Sequence, residues 1–397
     1  MNGRERGKNK VQIQVENRST LLKLLKANKH ICRKDLAELS GLTGAAVTNI
    51  IRDLIDAGLV EEDHAYTGLN RKNAVPLRIC FERFLVIGVT IQRGLVSSAI
   101  ADLSGKIVAQ SKMAFDLDEP PSAVLERLSQ SIQRYIDEYG NRFRIVGIGV
   151  SVPGPTNLVL GRISYLTNAP GWTNVPIKDY LAERFSYPVV MNEDANSAVL
   201  AEHWLGKGQG RDNLISILAS KGVGAGVIVN GQILYGAYGL AGEIGHTSID
   251  WDGPQCECGN RGCLELYCSS LALVRKARKT LGNTDDLGLE AVVEQASSGN
   301  RELQDLIIES GKYLGCGIVN LVYTFNPELV TIHGEMLFCG GLWLESIRSA
   351  VRERLNPSIA QQVQIEFSSL QDPVLLGTVA MMGEKLFAEP ELEYFAH

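Results

Sequence analysis

A change of hydrophobic period near residue 84 constrains the fold of this 397-residue chain more than any other feature. Before it, apolar residues recur at helical spacing. ENRSTLLKLLKANKH (16–30) sets leucines at 21, 22, 24 and 25, and GLTGAAVTNIIRDLIDAGLV (41–60) aligns Val47, Ile50, Ile51, Leu54 and Ile55. After it come short β-rich runs such as FLVIGVTI and RIVGIGVSVPGP, separated by helical stretches such as SAVLERLSQSIQRYIDEYG. A helical front and an alternating α/β body do not share one core, and the length exceeds what one core organises, so two or three domains are expected.

Charge divides at the same place. Residues 1–80 hold 14 Lys and Arg against 9 Asp and Glu, a balance of +5, which leaves −11 for the rest of a chain whose total is −6. A basic front on an acidic body suits a polyanionic partner at one end and a different task at the other. No run of eighteen or more apolar residues occurs, and MNGRERGKNK lacks the apolar centre of a signal peptide, so the expectation is a cytoplasmic protein with no membrane partner. Thiols in that compartment stay reduced, which turns clustered cysteines towards metal rather than disulfides.

The front reads as a winged helix-turn-helix over 16–80, behind a basic segment 1–15. After the helix at 16–30 and a short one at CRKDLAELS (32–40), a Gly-Leu-Thr turn precedes the third helix, which Thr43 caps and Gly58 stops. Opposite the apolar stripe lie Gly44, Ala45, Thr48, Asn49 and Arg52, small residues that let the helix approach DNA and polar ones that reach base edges or phosphates. LVEEDHAYTGLNRKNAVPLRIC (59–80) reads as a two-stranded wing with Arg71 and Lys72 near its turn. A helical bundle for protein contacts would account for the helices but not for the charge and the wing together.

In the body, GVSVPGP (149–155), LTNAPGW (166–172), NEDANSAVLAE (192–202), GVGAG followed by GLAGEIGH (239–246), and CECGNRGCLE (256–265) together resemble the ROK family of repressors and sugar kinases. With the preceding helix-turn-helix, the resemblance is to the repressor branch, and within it CGNRGCLELY is most like the xylose-repressor group of Gram-positive bacteria. It implies an α/β, two-lobed body of the actin-like ATPase and sugar-kinase type over 84–397. Lobe one would span about 84–193 plus a C-terminal helix near 372–395, and lobe two about 194–371.

His246, Cys256, Cys258 and Cys263 follow the pattern H-x9-C-x-C-x4-C. One imidazole and three thiolates make a closed tetrahedral set for structural Zn2+, with no open position for a catalytic water, and Gly259 and Gly262 allow the tight turns between ligands. The resemblance assigns the same four residues. Cys268 falls outside the pattern and reads as core, and Cys32, Cys80, Cys316 and Cys339 read as ordinary buried thiols. Glu243 and Glu265 flank the ligand set, and carboxylates with an imidazole in one cleft suit sugar hydroxyls. The resemblance implies that Glu243, His246 and Glu265 grip a sugar and that Asp194 matches the kinases' general base. Asn168 and the Pro153-Gly154 loop would be neighbours at the cleft between the lobes. Glu193 stands where the kinases have Asn, an acceptor-only group in place of an amide, so the sugar's identity or orientation differs.

Three nucleotide elements of the kinases are altered. Thr90 replaces the Asp of the first phosphate loop in GVTIQRG (88–94), Ser220-Lys221 replace the first members of the second in SKGVGAG, and Glu335 follows Gly334 in IHGEM. Losing a magnesium carboxylate and two phosphate turns removes most of what phosphoryl transfer relies on, so no residue is assigned a catalytic role. The sequence therefore predicts a sugar-responsive repressor of carbohydrate-utilisation genes, a homodimer or homotetramer binding operator DNA, with xylose or a related monosaccharide as effector. The alternative is an ATP-dependent sugar kinase with an appended DNA-binding domain. Control by a protein co-regulator is a third reading.

Overall fold

A computed structural model of the chain describes residues 9–64, 66, 75–282 and 286–392. They fall into two compact units: unit 1 comprises 1–152, 160–191 and 378–397, and unit 2 comprises 153–159 and 192–377.

Unit 1 begins with the helical front. Helix α1 (Lys10–Ala27) starts at an Asn9–Gln12 capping box, in which each side chain accepts from the other residue's backbone N–H. That box sets the start at Lys10, well before the residue 16 that the leucine spacing predicted. Leu21, Leu22 and Leu25 are buried. Strand β1 (Ile31–Cys32), helices α2 (Arg33–Ser40) and α3 (Gly44–Asp56), and strands β2 (Val60–Glu62) and β3 (Pro76–Ile79) follow. Gly41 makes the turn into α3 in the left-handed region at φ 69°. Thr43 Oγ1 accepts from Ala46 N at 3.2 Å and caps α3, and Gly58, at φ 73°, stands just beyond its last residues. The wing is a three-stranded sheet, β1-β3-β2, rather than the two-stranded one expected, because Ile31 and Cys32 also pair with β3.

The rest of unit 1 is a five-stranded sheet. Strands β4 (Phe84–Gln92), β5 (Leu95–Asp102) and β6 (Ile107–Ala114) form an antiparallel meander. Helix α4 (Pro121–Tyr139) then returns the chain to β7 (Arg144–Val152), parallel to β4. The chain crosses into unit 2 for β8 (Thr156–Asn157) and re-enters with β9 (Arg162–Leu166), β10 (Ala169–Val175), α5 (Ile177–Phe185) and β11 (Val189–Glu193). The order is β11-β7-β4-β5-β6. Val124, Leu128 and Ile132 of α4 cover one face of this sheet, with Leu85, Ile87 and Val89 beneath them.

Unit 2 repeats the theme. Helix α6 (Asp194–Trp204) leads to β12 (Leu214–Ala219), β13 (Val223–Val229) and β14 (Gln232–Ile233). A loop region ends in the short α7 (Glu265–Cys268), followed by α8 (Ser270–Thr280), α9 (Leu289–Ser297) and α10 (Arg301–Phe325). Strand β15 (Leu329–His333), helices α11 (Gly340–Arg354) and α12 (Pro357–Ala360), and β16 (Gln364–Phe367) complete a sheet of order β14-β13-β12-β15-β16. Ser269 separates α7 from α8: its backbone is extended and its side chain accepts from Ala272 N, which caps α8. Helix α13 (Pro373–Ala388) is shared: its first turn belongs to unit 2 and the remainder to unit 1. No helix among the described residues is long and apolar enough to cross a membrane.

Candidate functional site

The ligand atoms of His246, Cys256, Cys258 and Cys263 all lie within 4.8 Å of one another. Cys256 Sγ stands 3.8 Å from His246 Nδ1, and Cys258 Sγ 3.6 Å from Cys263 Sγ. The backbone makes this convergence possible. Cys256 N donates to Asn260 O at 2.8 Å and Gly259 N to Cys256 O at 3.0 Å, closing a turn around Glu257 and Cys258. Gly262 sits at φ 61°, and a Cβ there would stand 1.7 Å from Asp250 O, so only glycine fits. Three thiols and one imidazole, brought together with no fourth thiol and no carboxylate in the set, match the donors of a closed tetrahedral metal site, and these four residues could hold one metal ion. Cys268 is not part of the cluster: it is fully buried and its Sγ donates to Leu264 O. Cys32, Cys80 and Cys339 are buried and Cys316 is half-buried.

The predicted sugar-binding acids of unit 2 are set around this cluster by close backbone packing. Cβ atoms on Gly242 and Gly245 would lie 1.9 Å from Ala225 O and 2.1 Å from Val223 O, so bare glycines press the segment carrying Glu243 and His246 onto β13. Glu265 opens α7, with Oε1 3.3 Å from His246 Nδ1 and its other oxygen beside Gly222. Nε2 of His246 faces Glu243 Oε2 at 3.9 Å. Asp194 opens α6, where its carboxylate accepts from Ala195 N at 2.7 Å. Burial pushes its carboxyl up to about 7 against the pull of that N–H, and the charges of Glu193 and Glu243 push the same way. Burial also raises Glu193, assisted by Glu243 and opposed by Thr156.

Glu193 is differently employed from the other acids. Its Oε1 accepts from both Thr156 N, at 3.2 Å, and Thr156 Oγ1, at 2.7 Å, so one carboxylate oxygen holds the 153–159 segment. Gly154 lies between the carboxylates: a Cβ there would be 3.3 Å from Glu193 Oε1 and 3.7 Å from Glu243 Oε1. Asn168 belongs to unit 1, at the exposed turn between β9 and β10 with φ 59°. Two site residues escaped the sequence reading. Thr156 follows the recognisable PGP stretch without any signal of its own, and Tyr235 accepts from Asn192 Nδ2 at 3.0 Å from a loop with no marked pattern.

On the front, the residues expected to face DNA are exposed. Gly44, Ala45, Thr48, Asn49 and Arg52 share the outer face of α3, and Thr43 stands at its start. Arg52 Nη2 donates to Asn49 Oδ1 at 3.2 Å and Thr48 Oγ1 to Gly44 O at 2.8 Å, so the polar groups are held close together. Arg71 and Lys72 lie outside the described residues.

A winged helix-turn-helix joined to an α/β body with a Cys3His cluster amid carboxylates defines a class of regulator built on a sugar-kinase scaffold. The profile of the ROK family matches residues 86–385 and that of the winged helix-turn-helix DNA-binding domain matches 16–61, and the chain belongs to the ROK family. Among curated relatives, the xylose repressor of Caldicellulosiruptor bescii is 29% identical over 388 residues, covering 94% of this chain and 97% of its own. The dual regulator NagC of Escherichia coli is 29% identical over 375 residues, 92% of each. A crystallised ROK family transcriptional regulator, a homologue of E. coli MLC, superposes with TM-score 0.83 at 28% identity over 96% of this chain and 99% of its own. A ROK glucokinase of Streptomyces griseus, solved with glucose and AMPPNP, superposes with TM-score 0.62 at 27% identity over 75% of this chain and 98% of its own.

Proposed function

We propose that this chain is a sugar-responsive transcriptional repressor and not an enzyme. The exposed face of α3 reads operator DNA through Thr48, Asn49 and Arg52, with Arg71 and Lys72 of the wing on the backbone. Asp194, Glu243, His246 and Glu265 receive a monosaccharide. Zn2+ on His246, Cys256, Cys258 and Cys263 is structural: it holds the imidazole and Glu265 in place. The protein acts in the cytoplasm as a homodimer or homotetramer, since paired recognition helices read two half-sites about one helical turn apart. Xylose is the first effector to test because xylose repressors stand among its relatives.

The observation that carries the reading against a kinase is the fate of the phosphate turns. Ser270 N donates to Ser220 O at 2.8 Å, and the Ser270 hydroxyl bonds the Glu335 carboxylate. A fixed anion thus stands next to the turn that would have to receive phosphate, where a kinase needs donors. Operator fragments bound by the full-length protein should be released by one member of a panel of D-xylose, D-glucose and N-acetyl-D-glucosamine. Retention of DNA at saturating levels of every sugar would refute induction by free sugar and favour control by a protein partner. ADP release on the same panel, abolished in Asp194→Asn, would establish the kinase.

A further inference from the structure

Helix α13 touches three separate parts of the molecule with little slack in the packing. In its first turn, a Cβ on Gly377 would stand 2.0 Å from Ser197 O, so the helix lies flush on α6 one turn after Asp194. Ser197 is itself tied back to the site, its Oγ donating to Glu193 O at 2.8 Å. Further along, a Cβ on Gly149 would stand 2.2 Å from Thr378 O and one on Gly147 2.2 Å from Met382 Cε, so α13 is equally flush on β7. Residues 373–383 are buried throughout. At the far end the helix meets the DNA-binding front. Phe387 stacks on Phe81 at 6.2 Å, Arg18 Nη1 of α1 donates to Pro390 O at 3.0 Å, and Lys26 of α1 feels the charge of Glu384. Burial pulls the Lys26 ammonium down to about 7 against that carboxylate, although both side chains are only half-buried.

We propose that α13 is the element that couples the sugar site to the DNA-binding front, with Gly377 and Arg18 as the positioning residues at its two ends. This rests on the repressor reading above. Sixteen helical residues, about 24 Å at 1.5 Å each, form a rod whose buried length is gripped by glycine-lined contacts. A close-packed interior transmits displacement rather than absorbing it. When a ligand engages Asp194 and shifts the start of α6, Ser197 carries Gly377 with it, and the rod moves Phe387 against Phe81 and Pro390 against Arg18 of α1. The recognition helix shares a compact unit with α1, so its presentation to the operator changes.

The test compares full-length wild type, Arg18→Ala, Glu384→Gln and Gly377→Ala. Operator affinity is measured with and without D-xylose, D-glucose or N-acetyl-D-glucosamine, and sugar binding is measured separately by thermal shift. In wild type the effective sugar weakens operator binding by a factor of about 5 to 150, the usual span of allosteric coupling. In the variants that factor falls to about twofold or less, while sugar still raises the melting temperature and sugar-free operator affinity stays within about threefold. A merely structural seam would lower melting temperature and leave the factor unchanged, and that result overturns the proposal. Should Gly377→Ala fail to fold, the other two variants decide the matter, and Arg18→Lys should restore part of the coupling. A wild type that binds sugar but shows no coupling, or binds no sugar at all, refutes the repressor reading and the proposal with it. A coupled wild type with equally coupled variants refutes the proposal alone.

Discussion

Replacing Asp194 by Asn should change how stability depends on pH. In the folded chain burial holds the Asp194 carboxyl at about 7, against an ordinary value of 3.8. Between those values the native state keeps a proton that the unfolded chain has lost, so native stability falls as pH rises. The contribution is fully present below about pH 4 and is gone above about pH 7. At about 1.4 kcal/mol for each pH decade, the span between 3.8 and about 7 amounts to about 4 kcal/mol. The two neighbouring carboxylates, Glu193 and Glu243, push in the same direction, so the native state near pH 8 carries its full load of repulsion. Urea denaturation of wild type and Asp194→Asn at intervals from pH 4.5 to 8 would display this. The wild-type free energy should fall relative to that of the variant as pH rises, and the gap should widen by a few kcal/mol. Parallel curves for the two proteins would show that Asp194 is an ordinary carboxylate, and the account of a crowded acidic site would fail.

The metal set, the loop and the DNA face each give a sharper expectation. Purified protein should contain about one zinc per chain, and Cys258→Ser or Cys263→Ser should lose both metal and fold, because structural zinc contributes folding free energy of order 10 kcal/mol; metal analysis and circular dichroism check this. Gly262→Ala should be destabilised severely in thermal melts, since its methyl would stand 1.7 Å from Asp250 O on a backbone already at φ 61°. Arg52→Ala should weaken operator binding by about 1–3 kcal/mol if it contacts a base and uniformly across sequences if it contacts phosphate, which gel-shift titrations on operator and scrambled DNA distinguish. Thr156→Val removes one of the two donors to Glu193 and should lower melting temperature by a few degrees without changing zinc content, at about 1–3 kcal/mol for a carboxylate bond lost.

Local patterns were legible because they are governed by local physics. The leucine and isoleucine spacing gave the three front helices, Thr43 and Gly58 marked the bounds of the recognition helix, and four ligand residues at fixed spacing declared their own convergence. The wing's third strand was not legible, since Ile31-Cys32 is too short to signal a strand and gains its pairing only from β3. The role of Glu193 escaped for a similar reason. Its residue type suits a sugar hydroxyl as well as a loop anchor, and only the fold brings Thr156, distant in sequence, to one of its oxygens. The contact of α1 with the C-terminal segment joins residues 372 positions apart, and nothing in either stretch announces the other.

The way the chain weaves between its units limits how the protein can be taken apart. The segment 153–159 belongs to unit 2 although it is encoded between two strands of unit 1. A gene fragment for residues 192–377 would contain nearly all of unit 2 yet lack Thr156, leaving a recessed carboxylate on Glu193 without its two donors. A fragment ending at Met191 would likewise lack the portion of α13 that lies against Gly147 and Gly149 and would bare the β7 surface beneath it. Domain-swap chimaeras between such regulators, or sensors built by grafting the ligand-binding half alone, should therefore place their junctions near residue 80 and keep everything from there to Pro390 from one parent. The contacts of Arg18 with Pro390, Lys26 with Glu384 and Arg83 with Glu61 then become seams to be redesigned by hand.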